Sequence, residues 1–183
     1  MSSTVAARTT LVTGGVRSGK SRYAESILLD ESKVSYVAPG PVPDPAGDPE
    51  WAARIRAHQA SRPSHWHTVE TVDLASALGQ LEGAVLIDCV GTWLTAVVDR
   101  LGTWELPLAD WQDQFQPELD RLVVAWTQAR GPAVAVTNEV GWGLVSEHRS
   151  GRIFTDLLGR TNQALAAVSD EVVLVVAGRA LKI

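Results

Sequence analysis

The stretch "TTLVTGGVRSGKSRYAESILL", Thr9 to Leu29, decides the fold. It opens as a short β-rich run ending at Gly14. It closes on apolar residues at Tyr23, Ala24, Ile27 and Leu28, which is helical spacing. Between the two, Gly14-Gly15-Val16-Arg17-Ser18-Gly19-Lys20-Ser21 fits the phosphate-loop pattern G-x-x-x-x-G-K-[ST] without deviation. The glycines let backbone approach a ligand closely, and the loop's N–H groups then form an anion nest. The following helix adds its positive end. Lys20 is placed to reach the β- and γ-phosphates of a nucleoside triphosphate, and the Ser21 hydroxyl to ligate Mg²⁺. A chance match in a glycine-rich turn would lack the strand before and the helix after.

Working outward, further apolar strands read at "KVSYVA", "HWHTVE", "AVLIDCV", "PAVAVTN" and, last, "EVVLVVAG". Asp48-Pro49 reads as N-cap and first turn of a helix running to about Ser61, and Asp73 caps a short helix over "LASALGQLE". More helices read at "GTWLTAVVDRL", at about 110–129 and at "SGRIFTDLLGRTNQALAAVS". Five prolines within residues 39–49 make that stretch a loop. Apolar strands alternating with helices predict an α/β fold, a mostly parallel central sheet with helices on both faces. Ligands of such sheets bind at the carboxyl ends of the strands, here just after Gly14, Val37, Asp88, Thr137 and Val176.

The 183 residues suit one domain, 9–183, behind a frayed tail at 1–8. Hydrophobic residues at 45% and charged residues at 20% are ordinary globular composition. No apolar run is long enough to cross a bilayer, and "MSSTVAARTT" carries no apolar segment of a secretory signal. A lone cysteine, Cys89, excludes an internal disulfide and suits a reducing cytoplasm. The formal net charge of −5 argues against a general nucleic-acid binder, so a phosphate site must be a local concentration of positive groups. The seven tryptophans are scattered and read mainly as packing residues.

Asp88 ends the apolar run "VLID", where phosphate-loop proteins carry the acid that holds Mg²⁺; the competing role is an N-cap for the helix near Gly91. Arg54, His58 and Arg62 recur every four residues and share one face if the helix reaches that far. Two guanidinium groups beside one imidazole could hold a second anion and favour neutral imidazole, the nucleophilic form. On spacing alone, a solvated basic face explains the pattern better. His65 and His67 alternate as on a strand, with no third metal ligand nearby, and His148 falls in a loop. Asn138 and Glu139 close a strand where ligands are expected, with a structural turn as the alternative. From these residues alone, a phosphate-loop kinase of some small molecule and a non-enzymatic nucleotide-dependent binding module both stay open.

Five blocks, "TGGVRSGKSRYAE", "WAARIRAHQASRPSHWHTVE", "LIDCVGTWLT", "VTNEVGWGLV" and "GRIFTDLLGRTNQALAAVSDEVVLVVAG", together span nearly the whole chain. In this order they resemble the bifunctional adenosylcobinamide kinase / adenosylcobinamide-phosphate guanylyltransferase family of cobalamin biosynthesis. R-I-x-x-H-x-x-x-R-P and T-N-E-V-G are the specific parts. The resemblance implies two reactions. A nucleoside triphosphate, GTP or ATP, phosphorylates adenosylcobinamide. GTP then gives GMP to a histidine, which passes it to adenosylcobinamide phosphate, making adenosylcobinamide-GDP. The guanylylated histidine falls on His58. The implied nucleotide contacts fall on Gly14 to Ser21, on Pro39, Gly40 and Pro41, on Gln59, Ala60, Ser61 and Arg62, and on Glu70 and Asp88. Arg54 joins them as a phosphate clamp, and Ser21 and Asp88 hold Mg²⁺. A RecA-like core and a homotrimer are further implications. One departure is visible: Pro39-Gly40 stands where the family commonly has Thr-Ser or Thr-Gly, which removes a hydroxyl and a backbone N–H.

Overall fold

The computed structural model describes residues 9–40, 53 and 62–183. Central strand β1 (Thr9–Thr13) is buried at every residue, as a strand covered on both faces must be. It leads through the glycine-rich loop into α1 (Lys20–Ile27). There follow β2 (Val34–Ala38), β3 (His67–Glu70), α2 (Leu74–Gln80), β4 (Ala84–Asp88) and α3 (Val90–Leu101). The chain continues with α4 (Gln112–Thr127), β5 (Ala133–Val136), α5 (Arg149–Ala166), β6 (Glu171–Val176) and β7 (Arg179–Lys182).

Among the described residues the seven strands form one sheet in the order β3-β2-β4-β5-β1-β6-β7. Every pairing is parallel except β6 with β7. The doubly covered, mostly parallel sheet expected from the sequence is therefore present. Side-chain alternation assigns each strand two faces. Leu11, Val37, Val85, Ile87, Ala133 and Ala135 face the core built by α2 to α5. Val12, Val34, Tyr36, Leu86, Val134 and Val136 face the opposite side, where Ala24 of α1 and Leu28 just after it pack.

Several boundaries differ from the sequence reading. The strand "AVLIDCV" stops at Asp88, because Cys89 and Thr92 exchange hydrogen bonds that cap α3. Helix α1 ends at Ile27, where the Leu28 N–H donates to the Glu25 carbonyl rather than one residue further back. Strand β6 is not the last: Ala177 and Gly178 take φ of 50° and 76°, and the chain turns back as β7. Two successive residues in the left-handed region make the tight hairpin that returns a strand against its neighbour. Asp73 caps α2 as expected, its carboxylate accepting from the Ser76 N–H. Of the expected helix from Asp48 to Ser61, only Ala53 belongs to the described residues, and the tail 1–8 lies outside them.

Trp66, Trp93, Trp111 and Trp126 are buried packing residues, as expected. Trp142 is not: it is 73% exposed, beside the equally bare Leu144 and Val145, on the segment after β5. Trp51 lies outside the described residues.

Candidate nucleotide site

The loop after β1 is shaped by close backbone approach. A Cβ on Gly14 would sit 2.4 Å from the Val175 carbonyl oxygen and 2.7 Å from Ser18 Oγ, so no side chain fits there. Gly19, the N-cap of α1, takes φ 95°, and a Cβ would meet Gly178 Cα at 3.3 Å. Arg17 also takes a left-handed φ, 59°, at the loop's exposed tip. Backbone strain of this kind persists where surrounding structure enforces it, and here it turns the loop into a cradle. The Gly178 N–H donates to the Ser18 carbonyl at 2.8 Å, and the Glu139 N–H to the Gly14 carbonyl at 3.1 Å. The turn after β6 and the exit of β5 thus clamp the loop from two sides.

Lys20 is 9% exposed, and its ammonium donates to the Gly15 carbonyl at 3.1 Å, which folds the side chain back over the loop. Gly19, the N-cap, makes no side-chain cap to α1. The first-turn N–H groups, including that of Ser21, are without that acceptor, as an anion site at a helix start requires.

Asp88 stands at the carboxyl end of β4, separated from β1 by β5 alone. It does not cap α3, whose N-cap is Cys89. Its Oδ2 instead accepts a 2.8 Å hydrogen bond from the Tyr36 hydroxyl. Burial, then the Asp88 charge, raise the Tyr36 pKa far above the ordinary phenol range, so Tyr36 remains a donor at every working pH. The Arg62 guanidinium carbon lies 3.3 Å from the centre of the Tyr36 ring, and Nη1 donates to Thr68 Oγ1 at 3.2 Å. Glu25 of α1 closes this group: burial, then the Asp88 charge, push its carboxyl above the usual range, opposed by Arg62 and Arg22. Burial, then Asp88, likewise raise the Cys89 thiol, so that side chain stays protonated and inert.

The structure brings together Gly14 to Ser21, Asp88 and Arg62 on the α1 face at the strands' carboxyl ends. Glu70 ends β3, exposed, in register with Ala38, which precedes Pro39 and Gly40. Gly40 lies against Thr92, to whose Cβ an added Cβ would come within 3.8 Å. Arg54, His58, Gln59, Ala60, Ser61 and Pro41 lie outside the described residues. His65 sits in the turn before β3 and not on it, so it does not alternate with His67 as the sequence suggested. Asn138 and Glu139 do structural work: the Asn138 carbonyl accepts from Asn162 Nδ2 at 3.0 Å, and Glu139 Oε1 from the Gly141 N–H at 3.0 Å. Asn162 also receives the Thr137 hydroxyl at 2.6 Å, which fixes the exit of β5. Arg160 donates to Gln112, a tie between helices.

Among the described residues no group of three or more His, Cys, Asp and Glu side chains is placed to hold a metal. The Ser21 hydroxyl and the Asp88 carboxylate are hard oxygen donors, the type Mg²⁺ takes when phosphates complete its shell. The donor set therefore fits that ion. Sequence reasoning missed Tyr36 and Glu25. Alternation along β2 puts Tyr36 on the α1 face, but the register that sets it beside Asp88 appears only in the folded sheet.

The family model described as cobinamide kinase / cobinamide phosphate guanyltransferase matches residues 10–183. The bifunctional adenosylcobalamin biosynthesis protein CobU of Salmonella typhimurium is 41% identical, over 94% of this chain and 98% of its own. The protein of the same name from Escherichia coli is 42% identical over the same shares. CobP of Pseudomonas aeruginosa is 35% identical, over 92% of each chain. Among solved structures, a prototypical ATPase from a bacterial type III secretion system superposes with a TM-score of 0.56 at 11% identity, over 91% of this chain and 50% of that one. At such identity the likeness concerns the fold alone, and it agrees with a RecA-like core.

Proposed function

We propose a two-step nucleotide chemistry for this chain, which belongs to the cobinamide kinase / cobinamide phosphate guanyltransferase family. In the kinase step the acceptor hydroxyl of adenosylcobinamide attacks the γ-phosphorus of GTP or ATP. The bond to the β–γ bridging oxygen breaks, the nucleoside diphosphate leaves, and the hydroxyl proton passes to solvent. In the transferase step the His58 imidazole attacks the α-phosphorus of GTP. The bond to the α–β bridging oxygen breaks, and pyrophosphate departs. A phosphate oxygen of adenosylcobinamide phosphate then displaces the imidazole from phosphorus, giving adenosylcobinamide-GDP.

The Gly14–Ser21 loop binds the triphosphate through backbone N–H groups. Lys20 leaves the Gly15 carbonyl to meet phosphate oxygens, and Arg54 and Arg62 hold the nucleotide near His58. Ser21 and Asp88 would hold Mg²⁺, which supplies charge neutralisation for the departing phosphate groups. Pro39, Gly40, Pro41, Gln59, Ala60, Ser61 and Glu70 complete the nucleotide contacts. Trp142, Leu144 and Val145, bare apolar side chains, follow in the chain after Glu139, whose N–H is bonded to the phosphate loop, and would offer a broad acceptor an apolar surface. The working unit is proposed as a homotrimer, by family resemblance.

One observation carries the reading: an intact phosphate cradle with Asp88 beyond β5, in a chain matched by the family along residues 10–183. The test is mass spectrometry after incubation with GTP and Mg²⁺. The expected product is the chain plus GMP, mapped to His58, absent in His58→Ala and retained in His65→Ala. Phosphoryl transfer without any adduct would leave a simple kinase.

A further inference from the structure

Tyr36 lies outside the phosphate loop, yet it touches two charged groups of the site at once. Its hydroxyl donates to Asp88, and its ring carries the Arg62 guanidinium. Sheet register explains both contacts. Tyr36 stands opposite Leu86 of β4 on one side and Thr68 of β3 on the other. Asp88, two residues beyond Leu86, is therefore its diagonal neighbour on the same face. Arg62 reaches across the ring to Thr68, the register partner. Its Nε is buried without a hydrogen-bond partner, so stacking on the ring is a principal contact holding the group. Among the described residues, the charged and titratable groups facing Tyr36 are Asp88 from β4, Arg62 from the turn before β3 and Glu25 from α1.

We propose that Tyr36 is a positioning residue: by stacking on Arg62 it anchors the root of the segment that bears His58 to the nucleotide core. Arg62 is four residues beyond His58, and four residues of chain reach at most about 14 Å. Pinning Arg62 therefore bounds how far the imidazole can stray from the cradle. Tyr36 touches no reacting atom; it acts through Arg62, and separately steadies Asp88. The inference rests on the reading that His58 carries GMP.

The experiment compares Tyr36→Phe with Tyr36→Leu in the full chain. Both lose the hydroxyl, and only Leu loses the ring. The readouts are the rate of GMP adduct formation on His58 with GTP and Mg²⁺, and kcat for phosphorylation of adenosylcobinamide. Adduct formation is expected to be about tenfold or more slower in Leu than in Phe, the effect of losing a desolvated cation–π contact. The kinase kcat values of the two variants are expected to agree within about threefold. A residue that merely filled the core would slow both reactions alike in Leu, and that result overturns the inference. Equal adduct rates in Phe and Leu overturn it too, and leave the His58 reading standing. A wild-type chain that forms no adduct removes both. Tyr36→Met, which fills the space without a ring, serves the same comparison if thermal melting shows Tyr36→Leu unfolded.

Discussion

Lys20 shows how one buried cation can be kept ready. Its ammonium is held by a carbonyl of the loop it serves, so the charge is hydrogen-bonded and still directed at the cradle. Lys20→Ala is expected to slow both nucleotide-dependent reactions roughly a hundredfold or more, measured as steady-state rates, because it removes a preorganised charge at the phosphates. Glu25 supplies a contrasting case. Its pKa is raised in the fold, chiefly by burial, so the folded state favours the protonated form. Stability is then fullest below the ordinary glutamate pKa and falls as pH rises through the raised value. Glu25→Gln is expected to melt higher than wild type at neutral pH, and the two melting curves should converge on acidification below that ordinary pKa. The phosphate loop was legible in the sequence because its parts are neighbours along the chain. Glu25 and Tyr36 were not, since what makes them part of the site is the field or contact of Arg62, before β3, and Asp88, at the end of β4.

Helix α2 rests on its cap. Asp73 accepts from the Ser76 N–H at 3.1 Å and from the Ser76 hydroxyl at 2.8 Å, and Arg121 of α4 donates to it at 3.1 Å. The Ser76 hydrogen bonds, then Arg121, hold the Asp73 carboxyl below its usual pKa. Asp73→Ala is expected to cost about 1 kcal/mol at neutral pH. A depressed pKa contributes stability above the unfolded value and loses it as pH falls through the folded one. The gap between mutant and wild type in thermal melts should therefore close in acid. Aspartate before an apolar-periodic run announced this cap from the sequence. Strand β7 gave no such notice: all four of its residues, Arg179 to Lys182, are exposed, so no alternation of apolar and polar marks it. Ala177 and Gly178, which make the reversal, read in the sequence as the end of the last strand.

The whole molecule depends on layers that meet far apart in sequence. Trp126 of α4 is fully buried, and its indole N–H donates to Ser169 Oγ at 2.9 Å, beyond the end of α5. Trp126→Ala is expected to lower stability by about 3–5 kcal/mol, read as a fall in denaturant midpoint at nearly constant slope. Fold class was legible at this scale from the succession of apolar strands and helices. Strand order was not, because nothing in the run "TTLVTG" says that β5 and β6 will flank it. The clasp between the Thr9 N–H and the Asp170 carboxylate, at 2.8 Å, joins residues from opposite ends of the described chain.

The bond from Gly178 to Ser18 has a consequence for biosynthesis. A ribosome makes the glycine-rich loop first, and the turn that buttresses it emerges only after β2 to β6 have been made. Until then the nascent protein carries the motif without its support. A message cut short before that glycine yields a polypeptide that has the loop's letters without this buttress.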